Sequence, residues 1–168
     1  MKKLLSLLLV LCMLLPVAAL AETAHEVKLG QVQFAAHGTK CFAVITVVMQ
    51  GDVIAIAYID EYQVGANMTG VPNSENGFGG FADGNVLYSK RVNAEAYSAN
   101  MQKAGSTVAL DVNYKALEDY ATGMTIAELE AALEGKTAEQ VVDAVTGCTL
   151  VDALGYLQGV LAAAKAAK

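Results

Sequence analysis

The stretch Cys41-Phe42-Ala43-Val44-Ile45-Thr46-Val47-Val48-Met49-Gln50-Gly51-Asp52-Val53-Ile54-Ala55-Ile56-Ala57-Tyr58-Ile59 decides the fold. Its first half is rich in β-branched residues, which suit a pleated strand. Gln50-Gly51-Asp52 breaks the apolar run, and a second one follows. Two such runs around a short glycine turn predict a β-hairpin. Both runs are apolar on both faces, so these strands are expected at the centre of a sheet, covered on both sides.

Working outward from the hairpin, Val27 to Phe34 alternates as Val27, Leu29, then Val32 and Phe34 after a slip near Gly30. This predicts a first strand, with His37-Gly38-Thr39-Lys40 as the turn. On the other side, residues 65–84 hold many glycines and asparagines with Pro72, and predict a long loop. Asn85 to Lys103 reads as a helix with Leu87, Ala94, Tyr97 and Met101 near one face, stopped by Gly105. Ser106 to Leu110 reads as a short strand. Asp111 is expected to cap a helix from Val112 to Ala121, ended by Gly123. Thr125-Ile126-Ala127-Glu128 and Thr137-Ala138-Glu139-Gln140 have the form of capping boxes, each opening a helical segment. Beyond Thr149, apolar residues recur at helical spacing: Leu150, Ala153, Leu154, Leu157, Val160 and Leu161. The tail from Ala162 to Lys168 is expected to fray. The fold class is therefore α+β: a small antiparallel β-sheet with packed helices.

The chain has 168 residues, with 11 basic and 17 acidic side chains. It opens Met1-Lys2-Lys3, runs apolar from Leu4 to Ala21, and offers Ala19-Leu20-Ala21 before Glu22. That order reads as a secretory signal peptide over residues 1–21, leaving 22–168 as a single domain. The alternative is an uncleaved membrane anchor, which Pro16 interrupts. Leu11 is not the small residue that a lipidated Cys12 would need, so Cys12 is assigned to the leader. Without Lys2 and Lys3, 9 basic residues remain against 17 acidic ones. A chain of that charge repels nucleic acid and anionic membrane surfaces. Cys41 and Cys148 remain in the domain. They either pair in an oxidising compartment or stay as two small buried thiols. There is no zinc-ligand spacing. His25 and His37 stand isolated, so a metal site from His37, Cys41 and Cys148 is not expected.

The segment Asp143-Ala144-Val145-Thr146-Gly147-Cys148-Thr149 carries the functional signal. A hydroxyl is a point of attachment for a phosphoester. Gly147 permits a tight turn. Thr149 is expected at the N-terminus of the last helix, where free N–H groups and the helix dipole favour phosphate. Read without that role, Thr146 and Thr149 are cap and turn residues.

This segment resembles the flavinylation motif Asp-x-x-Ser/Thr-Gly-Ala-Thr of the FMN-binding domain family of covalent threonyl-FMN flavoproteins. Asp143, Thr146, Gly147 and Thr149 fit it, and Cys148 stands where the family usually has alanine. Further blocks at Ile59-Asp60-Glu61-Tyr62-Gln63, Gly70-Val71-Pro72-Asn73-Ser74 and Ser89-Lys90-Arg91-Val92-Asn93 resemble the sex-pheromone-precursor-type secreted branch of Gram-positive bacteria. The lipobox of that branch is missing. The resemblance implies an exported flavoprotein, with one FMN joined through its phosphate to Thr149, acting as an electron carrier. It implies that Asp143 and Thr146 are read by a flavin transferase using FAD and magnesium, with Gly147 and Cys148 shaping the turn. It also implies a membrane quinone-linked electron donor and an external acceptor. The chain would be the transferase's substrate and not itself an enzyme. Lys90 or Arg91 is a candidate partner for the FMN phosphate, or else lies on a solvated helix face. Phe78 and Phe81 either cover the flavin ring or tuck the loop onto the core. The alternative reading is a flavin-free secreted binding or surface-interaction domain. A hydrolase using Cys148 would need a histidine brought beside it from far away in sequence.

Overall fold

In a computed structural model, the described residues are 26–38, 40–78, 81 and 84–168. The expected signal peptide lies outside them. Strands β1 (Val27–Phe34), β2 (Cys41–Gln50), β3 (Val53–Gly65) and β4 (Val86–Ser89) form one antiparallel meander in the order β1-β2-β3-β4. Helices α1 (Ala94–Lys103), α2 (Leu110–Ala121), α3 (Ile126–Leu133), α4 (Ala138–Ala144) and α5 (Ala153–Lys165) follow. The fold is α+β, as expected. No helix among the described residues is long and apolar enough to cross a membrane.

The hairpin forms as read, with Gly51 in the left-handed region at its turn. Its two faces differ. Ala43, Ile45, Val47 and Met49 of β2 and Ile54, Ala57 and Ile59 of β3 are buried against the helices. On the opposite face Val27, Leu29, Phe42, Ile56 and Tyr58 are exposed, so the expected two-sided cover is corrected to one. An irregularity between Val48 and Met49 pairs Val48 with Ile56 and Met49 with Ile54. Ala55 is left as the extra residue, which lets β3 keep its apolar side chains inward across the bulge.

The slip expected in β1 does not exist. Pairing with β2 runs unbroken from Val27 opposite Gln50 to Phe34 opposite Ala43. Gly30 is buried and belongs to the inner face, and Leu29 points outward. A Cβ on Gly30 would sit 1.9 Å from the Ala163 carbonyl oxygen. Helix α5 thus packs directly on the β1 backbone. The same closeness recurs at Gly159, whose added Cβ would lie 2.3 Å from Ile45 Cδ1, and at Gly155, 2.5 Å from Ala36 O. The tail does not fray. Ala163 and Ala164 are buried, and Lys168 exchanges backbone hydrogen bonds with Leu29 at 3.3 and 3.4 Å.

The helix expected over Asn85–Lys103 is two elements, β4 and then α1 after a turn. Val86, Leu87, Tyr88 and Ser89 pair with Gly65, Val64, Gln63 and Tyr62. The β3 edge therefore captures residues that read equally well as a helix start. The strand expected at Ser106–Leu110 is irregular. Side chains satisfy its backbone, with Asn113 Nδ2 donating to the carbonyls of Val108 and Ala109 and the Leu110 N–H donating to Ser98 Oγ. Helix α2 begins at Leu110 with Ala109 as its N-cap, so Asp111 lies in the first turn and does not cap. Both capping boxes, at Thr125 and Thr137, form as read. Gly105 and Gly123 follow the ends of α1 and α2 at positive φ.

Gly30→Ala is expected to cost about 1–3 kcal/mol of unfolding free energy, as overpacking does. Exposed Gln33→Ala on the same strand should change it by less than about 0.5 kcal/mol. Urea denaturation of the two variants checks both.

Candidate functional site

Thr149 lies on the link between α4 and α5, exposed to solvent. Helix α4 ends at Ala144, and Gly147, at φ 87°, turns the chain. The Cys148 N–H closes the turn on Val145 O at 3.0 Å. Cys148 itself packs into the core, while Asp143, Thr146 and Gly147 stay exposed. Asn113 of α2 holds the next residue. Its Oδ1 accepts the Thr149 N–H at 2.7 Å and the Thr149 hydroxyl at 3.4 Å. Asn113 is wholly buried, and its Nδ2 anchors two carbonyls of the α1–α2 link. Sequence reasoning missed this residue. A lone asparagine beside Tyr114 and Leu117 gives no signal of its own.

Thr149 is shared by two clefts. One, of about 470 Å³, is lined by Met101, Ala104, Gly105, Ser106 and Thr107 from the end of α1 and its exit, with His37, Leu150 and Val151. The other, of about 370 Å³, is lined by Asp143 with Ala138, Glu139, Val142 and Val151. Of the expected motif residues, Asp143 and Thr149 therefore border one space, while Thr146 and Gly147 lie on the turn outside it. The expected position of Thr149 at a helix N-terminus is corrected. Helix α5 starts at Ala153 with Asp152 as its N-cap, because residues 150–152 form a turn closed by the Ala153 N–H on Leu150 O at 3.1 Å. The carboxylate of Asp152 sits where the helix dipole would favour an anion. Phe78 and Phe81 are exposed and line neither cleft, so they do not tuck the loop onto the core.

Lys90 and Arg91 are on no helix face. They follow β4, and both are committed to carboxylates. Lys90 is 1 % exposed and pairs with Glu61, which is 0 % exposed. Tyr156 of α5 donates its hydroxyl to the same Glu61 Oε2 at 2.8 Å. The Lys90 ammonium also lies 3.2 Å from His37 Nδ1 and 4.6 Å over the Tyr97 ring. Arg91 bonds Glu118 and the Ile59 carbonyl and stacks on Tyr58 at 4.3 Å. Burial would push the Glu61 carboxyl up, but His37, Lys90 and Tyr156 outweigh it and hold it below the usual range. Burial likewise works against the Lys90 charge, but Glu61 holds its pKa above the ordinary lysine value.

The two cysteines are free in the structure, Cys148 buried as the small-thiol reading expects and Cys41 only half-buried. Burial, then the Glu61 charge, pushes Cys41 up to about 11. Burial also raises Cys148, a poor setting for a nucleophile. His37 is not isolated, as the sequence suggested. Its ring lies beside Cys41 and Glu61, so Glu61 and not Cys148 completes that cluster.

Compared with protein-family models, curated proteins and solved structures, the chain matches none.

Lys90→Met is expected to destabilise the fold by about 3–5 kcal/mol, because it strands a buried carboxylate. The double variant Glu61→Gln/Lys90→Met should recover much of that loss. Denaturant midpoints of the two variants and the parent measure the difference.

Proposed function

We propose that the protein is an exported electron carrier bearing one FMN esterified through its phosphate to Thr149. One observation supports this most: Thr149 is exposed, its hydroxyl donates to buried Asn113, and it lies between two clefts. The larger cleft combines apolar Met101, Leu150 and Val151 with polar Ser106, Thr107 and His37. Its volume lies within the range of about 300–1,000 Å³ typical of small-ligand sites. The residues present thus fit a flavin attached at Thr149. When bound, it would supply the redox chemistry, and the protein would hold and shield it.

Attachment would proceed by attack of Thr149 Oγ on the flavin-side phosphorus of FAD. The bond between the two phosphates breaks, AMP leaves, and the hydroxyl proton is lost. Asn113 would position the hydroxyl. Asp143, Thr146 and the Gly147 turn, all exposed, would form the surface that the transferase reads. Export follows from the leader reading of residues 1–21, with electrons arriving from a membrane quinone-linked donor and leaving to an external acceptor. Lys90 is not assigned to the phosphate, because Glu61 already neutralises it.

A second reading, a flavin-free binding domain, has its own support. The uncovered sheet face presents Val27, Leu29, Phe42, Ile56 and Tyr58. Apolar patches of this kind mark interaction surfaces.

Intact mass after production with a flavin transferase separates the two. The expected gain is one FMN less one water, abolished in Thr149→Ala. Asn113→Ala should slow the modification about tenfold, the equivalent of one lost hydrogen bond. No gain with a transferase that modifies a control protein would favour the binding domain.

A further inference from the structure

His37 lies on the link between β1 and β2, Cys41 opens β2, and Glu61 lies late in β3. The sheet brings the three together. One ligand atom from each falls within 4.8 Å of the others. His37 Nδ1 is 3.5 Å from Cys41 Sγ and 3.7 Å from Glu61 Oε2. A tetrahedral ion with ligands at about 2.0–2.3 Å separates its donors by about 3.3–3.8 Å. Both of these edges are therefore already the right length.

Two further observations favour a cation here. First, Glu61 is wholly buried, and its Oε1 has no hydrogen-bond partner. Lys90 and Tyr156 both use Oε2. Buried carboxylate oxygens are otherwise satisfied, so an orphan invites a donor or an ion. Second, a carboxylate stands on the far side of the histidine, at ion-pair distance. His37 Nε2 lies 3.7 Å from Asp152 Oδ2, so a proton on Nε2 leaves the Nδ1 lone pair facing the cluster. A carboxylate behind a ligating histidine is the usual outer arrangement of metal sites.

We propose that His37, Cys41 and Glu61 form a binding site for a zinc-class divalent cation, with its fourth position reached from the cleft that His37 lines. Thiolate, imidazole and carboxylate together suit such an ion, and three protein ligands leave one position for water or a ligand. Binding converts the Cys41 thiol to a metal-bound thiolate and releases one proton. The Lys90 ammonium now contacts both Nδ1 and Oε2. An ion bonded to both Nδ1 and Oε2 occupies space that the ammonium now fills, so it displaces Lys90 to the unpartnered Oε1 of the same carboxylate. The charges then balance: two from the metal and one from Lys90 against Cys41, Glu61 and Asp152.

The test uses Thr149→Ala protein, which cannot carry a threonyl flavin, so its outcome is independent of the reading above. Cobalt(II) is titrated into chelator-stripped protein, followed by zinc(II). Expected are a thiolate-to-cobalt charge-transfer band saturating at one ion per chain, release of one proton, and loss of the band on adding zinc. Cys41→Ser should remove the band, His37→Gln should weaken binding at least tenfold, and Cys148→Ala should leave it unchanged. Unaltered circular dichroism in Cys41→Ser excludes unfolding as the cause. No saturable band, or one that survives Cys41→Ser, would overturn the proposal and leave the Lys90 ammonium as the cluster's own cation.

Discussion

The buried pair of Glu61 and Lys90 is the constraint on which the rest of the structure depends. Two charges removed from water cost several kcal/mol each unless they meet in good geometry with further hydrogen bonds. Every layer contributes to that geometry. Glu61 comes from β3, Lys90 from the end of β4, Tyr156 from α5, Tyr97 from α1 and His37 from the β1–β2 link. The Lys90 N–H also donates to the Glu61 carbonyl at 2.8 Å, so backbone and side chain fix the same neighbour. Any slip of β4 against β3 would separate the charges. The pair therefore specifies register, a role for which a buried ion pair is better suited than for stability alone.

A second constraint brings α5 close enough to supply Tyr156. Gly155 and Gly159 sit four residues apart and so on one face of the helix, and Gly30 faces the same helix from β1. Gly30 and Gly155 each let one backbone approach another, and Gly159 makes room for the Ile45 and Phe34 side chains. The approach at Gly155 also sets the start of α5 against Ala36, beside His37. That is how Asp152 comes to lie behind the imidazole and how Leu150 and Val151 share a cleft wall with His37. Close packing at these glycines thus helps to build the site, alongside the hydrogen bonds of Asn113 and Tyr156.

The legible parts of the sequence were those with local causes. The Gly51 hairpin, the two capping boxes and the glycine stops are each decided by a few adjacent residues, and each formed as read. The misreadings had non-local causes. Leu87, Tyr88 and their neighbours satisfy a helical pattern as well as a strand pattern, and only the free β3 edge decides between them. Gly30 looked like a slip because its partner, the Ala163 carbonyl, lies more than a hundred residues away. At the site, only the tight turn at Gly147 formed as read. The support from Asn113 and the burial of Lys90 were not legible, since a charged residue reveals its burial only when its counter-ion is in place.

Cys148 shows how a buried side chain can leave the surface of its turn free. The side chain is buried in the core that also holds Val145 and Ala153, while Asp143, Thr146 and Thr149 are exposed. A partner docking on this turn would meet the hydroxyls, the carboxylate and the glycine backbone, but not the sulfur. The sulfur acts inward, on packing among apolar neighbours, where a thiol behaves as a small hydrophobe. The turn at Gly147 and the hold of Asn113 on Thr149 use other atoms. The side chain at position 148 is therefore a choice made by the core, and the chemistry available at Thr149 is set by the residues around it.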